Sequence, residues 1–255
     1  MKKLIPLLLL MVSMPSLAQR QFDIEVIIFK RAVDAEKMNE SWPNTLPEIN
    51  LTRVGSFQDA EYRQKKNVKM LPYSEYAMTE QKESLKKHAG FKVLLHTAWR
   101  QGDEGKAAAP VFHIQAGKDY SKKFNIDGSE KVVLDTTSAD ISEETIDAPL
   151  YELDGKLQIY VQHYLYTETT LDLKAPSVRE ITLQDQTIEL DSPVSDADST
   201  IQVGNLTEVS PTVEVEEFLK SYRMDQKRRM RSTETHYLDH PLLGMIIQVR
   251  RVAEQ

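Results

Sequence analysis

The sequence predicts an α+β fold, mainly antiparallel β-sheet with a few helices, and three observations carry that expectation. Apolar and polar residues alternate with a period of two through residues 22–29, 157–173 and 213–230, which marks strands with one buried face. A helix with a readable start and stop is confined to residues 79–88. The composition is globular: 40% hydrophobic and 28% charged, with 9 Gly and 11 Pro in 255 residues.

Taken in order, residues 1–18 have the pattern of a secretory signal. Lys2 and Lys3 precede an apolar run from Leu4 to Val12, and Ser16, Leu17 and Ala18 offer the small-x-small cleavage pattern. The run is too short for a permanent span, and no other stretch approaches the ~18 apolar residues a spanning helix needs. The expected product is one exported periplasmic unit, residues 19–255, with no integral membrane anchor after cleavage. Residues 22–29 form its first strand, closed by Lys30 and Arg31. Residues 34–57, with Pro43 and Pro47 near Trp42, read as a long loop with short helical pieces. Thr79 is placed to N-cap the helix and Gly90 to end it. Residues 91–100 read as a strand, so strand, helix and strand could form a crossover unit. A Gly- and Ala-rich turn at 101–110 then leads to a hairpin partner at 111–116.

Asp154-Gly155 is a hairpin signal. The following strand places Leu157, Ile159, Val161, His163, Leu165, Thr167, Thr169 and Leu171 on one face. Gln158, Tyr160, Gln162, Tyr164, Tyr166 and Glu168 lie on the other. Its length calls for a bulge or bend. Residues 184–211 are rich in Asp, Ser, Thr and Glu, most of all at 191–198, and are expected to be a mobile acidic loop within the unit. Residues 213–230 alternate again, and Met245, Ile247 and Val249 are expected to pair with them through a turn near Pro241 and Gly244.

Charge and composition exclude several functions. Lys and Arg number 32 against 39 Asp and Glu, a net of −7. Removal of residues 1–18 leaves 30 against 39, or −9. That balance argues against general nucleic-acid binding. With Cys 0 there is no disulfide, thiolate metal site or cysteine nucleophile. The chain has no Gly-x-Ser-x-Gly elbow, His-Glu-x-x-His pair or phosphate-cradling loop. Ser84 and Lys87 match Ser-x-x-Lys only as an isolated coincidence in a charged helix. Glu143-Glu144 and Glu216-Glu217 are sequence neighbours whose side chains diverge, unlike a glycosidase pair. His236, Asp239 and His240 have metal-like spacing, but Pro241 follows at once, which favours histidines that hold a turn through backbone hydrogen bonds. No enzyme activity and no cofactor are expected.

Two features could bind a partner. Tyr160, Tyr164 and Tyr166 with Gln158 and Gln162 offer rings and amides suited to sugars and peptides, or else pack beneath a neighbouring element. Lys220, Arg223, Lys227, Arg228, Arg229 and Arg231 concentrate positive charge with only Asp225 opposing in the same run. That ribbon would attract carboxylates, or would serve as a solvated edge strand. The turn after it adds His236, Tyr237, Asp239 and His240 as candidate binding residues.

The run 228–244, RRMRSTETHYLDHPLLG, resembles the signature of the CsiV family of periplasmic peptidoglycan-binding proteins. Three further segments agree with it in order: 22–31 (FDIEVIIFKR), 91–101 (FKVLLHTAWRQ) and 153–166 (LDGKLQIYVQHYLY). The resemblance implies a non-catalytic protein that binds peptidoglycan and supports a class A penicillin-binding protein through its lipoprotein activator, LpoA. It assigns no binding residues, so the candidates above rest on their own chemistry. A wall hydrolase with an unfamiliar site and a periplasmic factor that binds only proteins remain the alternatives.

Overall fold

The computed structural model describes residues 20–38, 40–131, 148–183 and 212–253. The expected signal peptide and acidic loop lie outside the described residues. Among the described residues nine strands form two sheets. The first contains β1 (Gln21–Arg31), β2 (Lys69–Met70), β3 (Phe91–Gly102), β8 (Thr235–Asp239) and β9 (Leu243–Arg251), in the order β2-β3-β1-β9-β8. The second contains β4 (Val111–Asp119), β5 (Tyr151–Gln162), β6 (Tyr164–Leu183) and β7 (Thr212–Met230), in that order. Every strand pairing within the sheets is antiparallel. Two short α-helices among the described residues, α1 (Ala60–Lys65) and α2 (Thr79–Lys87), complete the α+β fold.

The sheets share one core, because alternation gives each an apolar face to remove from water. Ile24, Val26, Ile28, Trp99, Ile247 and Val249 come from the first sheet; Phe112, Ile114, Leu157, Ile159, Leu171 and Met224 come from the second. Trp99 Nε1 donates to Gln101 Oε1 at 2.7 Å, and Gln101 Nε2 donates to the Ile159 carbonyl at 2.9 Å, tying β3 to β5. Buried Glu152 on β5 pairs with Lys30 and, at 3.6 Å, with Lys92.

Glu25 occupies the opposite face of β1 and is wholly buried. Its carboxylate accepts from the backbone N–H groups of Ala77 at 2.7 Å and Met78 at 2.8 Å and from Arg250 Nη1 at 3.0 Å, and it lies 2.8 Å from His96 Nε2. Burial alone would raise its pKa, but the hydrogen bonds from His96, Ala77, Met78 and Arg250 outweigh burial and hold it at about 2. The expected Thr79 cap does not form. Thr79 is the first residue of α2, no side chain caps that helix, and Glu25 instead holds the backbone N–H groups just ahead of it.

Four pairing expectations are corrected. β1 and β3 are antiparallel neighbours, so the segment between them is no parallel crossover. Residues 103–110 pass the chain from one sheet to the other, and β4 pairs with β5 instead of β3. Asp154 and Gly155 lie inside β5, not in a turn. Gly155 has φ 154°, and a Cβ there would stand 2.2 Å from the Thr170 carbonyl oxygen, so glycine answers the close approach of β6. β9 pairs with β8 and β1, while β7 pairs with β6. The tight His240–Leu243 connection joins β8 to β9, with His240 N donating to Leu243 O at 3.0 Å.

The bend expected in the long middle strand is a complete reversal at His163, φ 63°, which sets Gln162 opposite Tyr164. Because Tyr160 meets Tyr166 and Gln158 meets Glu168, the two side-chain faces survive the reversal unchanged.

Acid should destabilise the protein through Glu25. The folded pKa lies below the ordinary value of 4.5. The stabilisation is therefore full above about pH 4.5 and lost as the pH falls toward 2, amounting to about 3 kcal/mol. Thermal melts of wild type and Glu25→Gln from pH 6 to pH 2 check this. The variant should be less stable at pH 6 and show a shallower acid slope; equal slopes would refute it.

Candidate functional site

Along the second sheet, even-numbered residues of β5 and β6 and odd-numbered residues of β7 face away from the core. Lys156, Gln158, Tyr160 and Gln162 thus share a surface with Tyr164, Tyr166, Glu168 and Thr170, and with Asp225, Lys227 and Arg229. Residues 105–109 lie over part of this surface. Val161 N donates to Glu104 O at 3.0 Å, and Gln158 Nε2 donates to Lys106 O at 2.7 Å. At the β4 edge, Gly55 bridges Phe112: its N–H donates to Val111 O, and its carbonyl accepts from His113 N, both at 2.9 Å. A Cβ on Gly55 would stand 2.2 Å from the Tyr62 ring, so only glycine lets this segment pass beneath α1.

The tyrosine face contains a charged knot. Tyr160 is 1% exposed and stacks on Tyr166 with ring centres 5.5 Å apart. Its hydroxyl donates to Glu168 Oε1 at 2.7 Å. Lys227 Nζ lies 3.0 Å from the same oxygen, and Lys106 Nζ lies 2.6 Å from Oε2. Burial opposes ionisation of Glu168, yet donors from Lys106, Tyr160 and Lys227 hold its pKa at about 2. Burial raises the Tyr160 phenol, and the adjoining Glu168 raises it further. At the far end Tyr164 is 55% exposed, with the Arg229 guanidinium 4.6 Å above its ring.

The basic ribbon is divided between the faces of β7. Arg223 forks onto Asp172 with two 2.8 Å bonds, Lys227 pairs with Glu168, and Lys220 lies 3.3 Å from Glu36. Opposing carboxylates therefore come from neighbouring segments, beyond the Asp225 visible in the run itself. Arg228 points inward and donates to the Tyr237 carbonyl at 3.2 Å. Arg231 is exposed and lies 3.5 Å from Glu234. Among the described residues neither Arg228 nor Arg229 forms an ion pair.

The remaining candidates lie along β8 and its turn. His236 Nε2 contacts the backbone N and O of Arg231 at 3.1 and 3.2 Å. His240 is buried, its Nδ1 accepts from Leu242 N at 3.2 Å, and burial lowers its pKa. These are the backbone contacts expected of turn-holding histidines. Tyr237 is exposed; its hydroxyl donates to Asp239 Oδ1 at 2.8 Å and accepts from Arg31, which also pairs with Asp239. Among the described residues no group of three or more His, Asp or Glu could hold a metal ion, and no helix is long and apolar enough to cross a membrane.

Beside the knot, the outer face opens into a cleft of about 1040 Å³. Its floor includes Lys156, Gln158, Glu168 and Lys227, and its walls are segments 50–54 and 105–109 with Lys66. Of the binding candidates read from the sequence, Gln158 and Gln162 of the tyrosine face and Lys227 of the basic ribbon line it. Arg53, Lys66, Lys106 and Lys156 are additions that sequence reasoning missed. Lys156 alone left a trace there, standing in phase with Gln158 and Tyr160. The other three reach the cleft through loop packing, which has no periodic signature.

The family model for "Peptidoglycan-binding protein, CsiV" matches residues 2–252. The chain belongs to the CsiV family. No curated protein and no solved structure matches it. In this CsiV chain the four segments that carried the resemblance cover nearly all of β1 and β3, most of β5 with its turn into the start of β6, and the passage from the end of β7 through β8 into β9. They build the shared core and its corners, while much of the cleft wall lies outside them.

Glu168 should hold segment 103–109 on the sheet. In Glu168→Ala, hydrogen exchange at the Val161 amide should accelerate about tenfold, the effect of losing a charge-assisted contact worth roughly 1–2 kcal/mol. Amides in the centre of β1 serve as the internal standard. Unchanged exchange at Val161 would show that the segment is held without Glu168.

Proposed function

We propose that this CsiV protein acts by binding rather than catalysis. In this reading residues 19–255 form one periplasmic unit, released from a signal peptide at 1–18. It binds peptidoglycan and supports wall synthesis by a class A penicillin-binding protein through the lipoprotein activator LpoA. The family match is the observation that carries the peptidoglycan part. Holding an activator near its wall substrate would raise local concentration without new chemistry.

The proposed contact surface is the outer face of the second sheet and its rim. Gln162, Tyr164 and Arg229 are exposed on that face and Tyr166 is half-buried, while Arg231 and Arg228 are exposed at the rim, Arg228 on the side turned toward β8. Tyr160 supports the surface from below. Tyr237 and Asp239 are a separate proposed contact on the first sheet, joined to Arg31 on the side opposite the core residue Leu238, with His236 and His240 fixing that turn.

Purified protein should co-sediment with isolated sacculi, release no soluble muropeptides and capture LpoA in a pull-down. Arg229→Glu combined with Arg231→Glu should weaken one of the two interactions about tenfold at low salt, with less effect at high salt. Released muropeptides would favour a hydrolase. LpoA capture without sacculus binding would favour the protein-only alternative.

A further inference from the structure

The cleft on the outer face has an unusual charge balance for an acidic chain. Five cations line it: Arg53, Lys66, Lys106, Lys156 and Lys227. Lys106 and Lys227 share the single carboxylate of Glu168. The other three are bound only to backbone carbonyls. Arg53 Nη2 donates to Ala107 O at 2.8 Å, Lys66 Nζ to Ala108 O at 2.8 Å, and Lys156 Nζ to Asn50 O at 3.0 Å. Among the described residues no carboxylate forms an ion pair with any of them. These bonds pin three positive charges to the cleft walls while leaving their charge uncompensated, an arrangement that focuses field on an anion. Asp225 is the second carboxylate on the lining.

The rest of the lining decides what kind of anion fits. Gln162 is exposed and its amide makes no hydrogen bond among the described residues, so it can both donate to and accept from a peptide group. Thr52 and Thr170 add hydroxyl-bearing side chains. No aromatic ring lines the cleft among the described residues, and Tyr160 is buried beside it. Stacking on the apolar faces of sugar rings therefore has no platform here. At about 1040 Å³ the cleft matches the larger end of ligand sites. That is room for a short extended peptide.

We propose that the cleft binds the uncross-linked stem peptide of peptidoglycan through its carboxylates and peptide groups, with Arg53, Lys66 and Lys156 as the charge contacts. This rests on the peptidoglycan-binding reading and adds which part of the polymer is gripped. A free stem peptide ends in a carboxylate and carries others along its length. A cross-linked one has fewer, so the site would prefer newly made or trimmed wall.

The test uses wild type and the triple variant Arg53→Gln, Lys66→Gln, Lys156→Gln. Glutamine keeps an amide donor for the wall carbonyls, and matching circular dichroism and melting temperature establish that the variant is folded. Three probes are compared: whole sacculi, a soluble disaccharide-tetrapeptide, and glycan strands stripped of peptide by an amidase. The stripped strands regain one lactyl carboxylate per repeat, so they control for charge alone. Wild type should pellet with sacculi and bind the disaccharide-tetrapeptide in a salt-sensitive manner. It should bind stripped glycan at least about tenfold more weakly, and the triple variant should lose about tenfold in affinity for the peptide probe. If wild type fails to pellet with sacculi, the peptidoglycan reading itself falls, and this assignment with it. Sacculus binding with equal peptide affinity in both proteins, or equal binding of stripped glycan and peptide by wild type, overturns the cleft assignment alone. So does loss of LpoA capture in the variant with peptide binding intact, which would make the cleft an acidic-protein site.

Discussion

Register is the constraint on which this molecule depends. The two sheets bury a common core, so inward and outward positions of each strand are fixed together. A slip of one residue in β5 would expose Leu157 and Ile159 and drive Lys156, Gln158 and Tyr160 into apolar surroundings. The register that buries the core therefore also assembles the polar outer face. Gly155 assists by letting β6 pass where any larger residue would collide with the Thr170 carbonyl. The Trp99–Gln101–Ile159 relay holds the two sheets in phase. Structure and candidate function are thus two readings of one alternation.

Charge is organised at three depths. Glu25 is deepest and fully satisfied, anchoring the approach to α2, β3 and β9 around the back of β1. Glu152, buried like Glu25, joins the sheets through Lys30 and Lys92, and at half depth Glu168 gathers two lysines and a phenol. At the surface, Arg53, Lys66 and Lys156 of the cleft and Arg229 form no ion pair with a carboxylate among the described residues. Internal pairs are consumed in building the fold, and what remains uncompensated is positive although the whole chain is negative.

Local alternation was legible in the sequence, and so were the two faces of the middle hairpin, even though its turn was not. That turn uses His163 at positive φ, a choice with no dipeptide signature, whereas Asp154-Gly155 presents the signature without the turn. Strand pairing was legible least. The sequence order suggested that 111–116 should return on 91–100 and that 245–249 should return on 213–230, but both join other partners because the core has to be divided between two sheets. At the candidate site, the tyrosines and arginines were visible as runs. Their real neighbours (Glu168 beneath Tyr160, Lys106 above it, Asp172 beside Arg223) come from pairings and loop packing that no local pattern encodes. His236 and His240 hold backbone groups as their setting beside Pro241 suggested.

The bridges at the margins of the second sheet bear on how it can meet other molecules. Gly55 occupies backbone groups along the outer side of β4, and on β7 Ser129 bridges Phe218 while Gly128 accepts from Leu219 N. Farther along, Gln226 and Arg228 reach across to carbonyls of β8. Where Gly55 and Gly128–Ser129 sit, the edge main-chain groups are already taken and an incoming strand cannot pair. At those positions self-association by strand addition is discouraged, which favours recognition by side-chain chemistry.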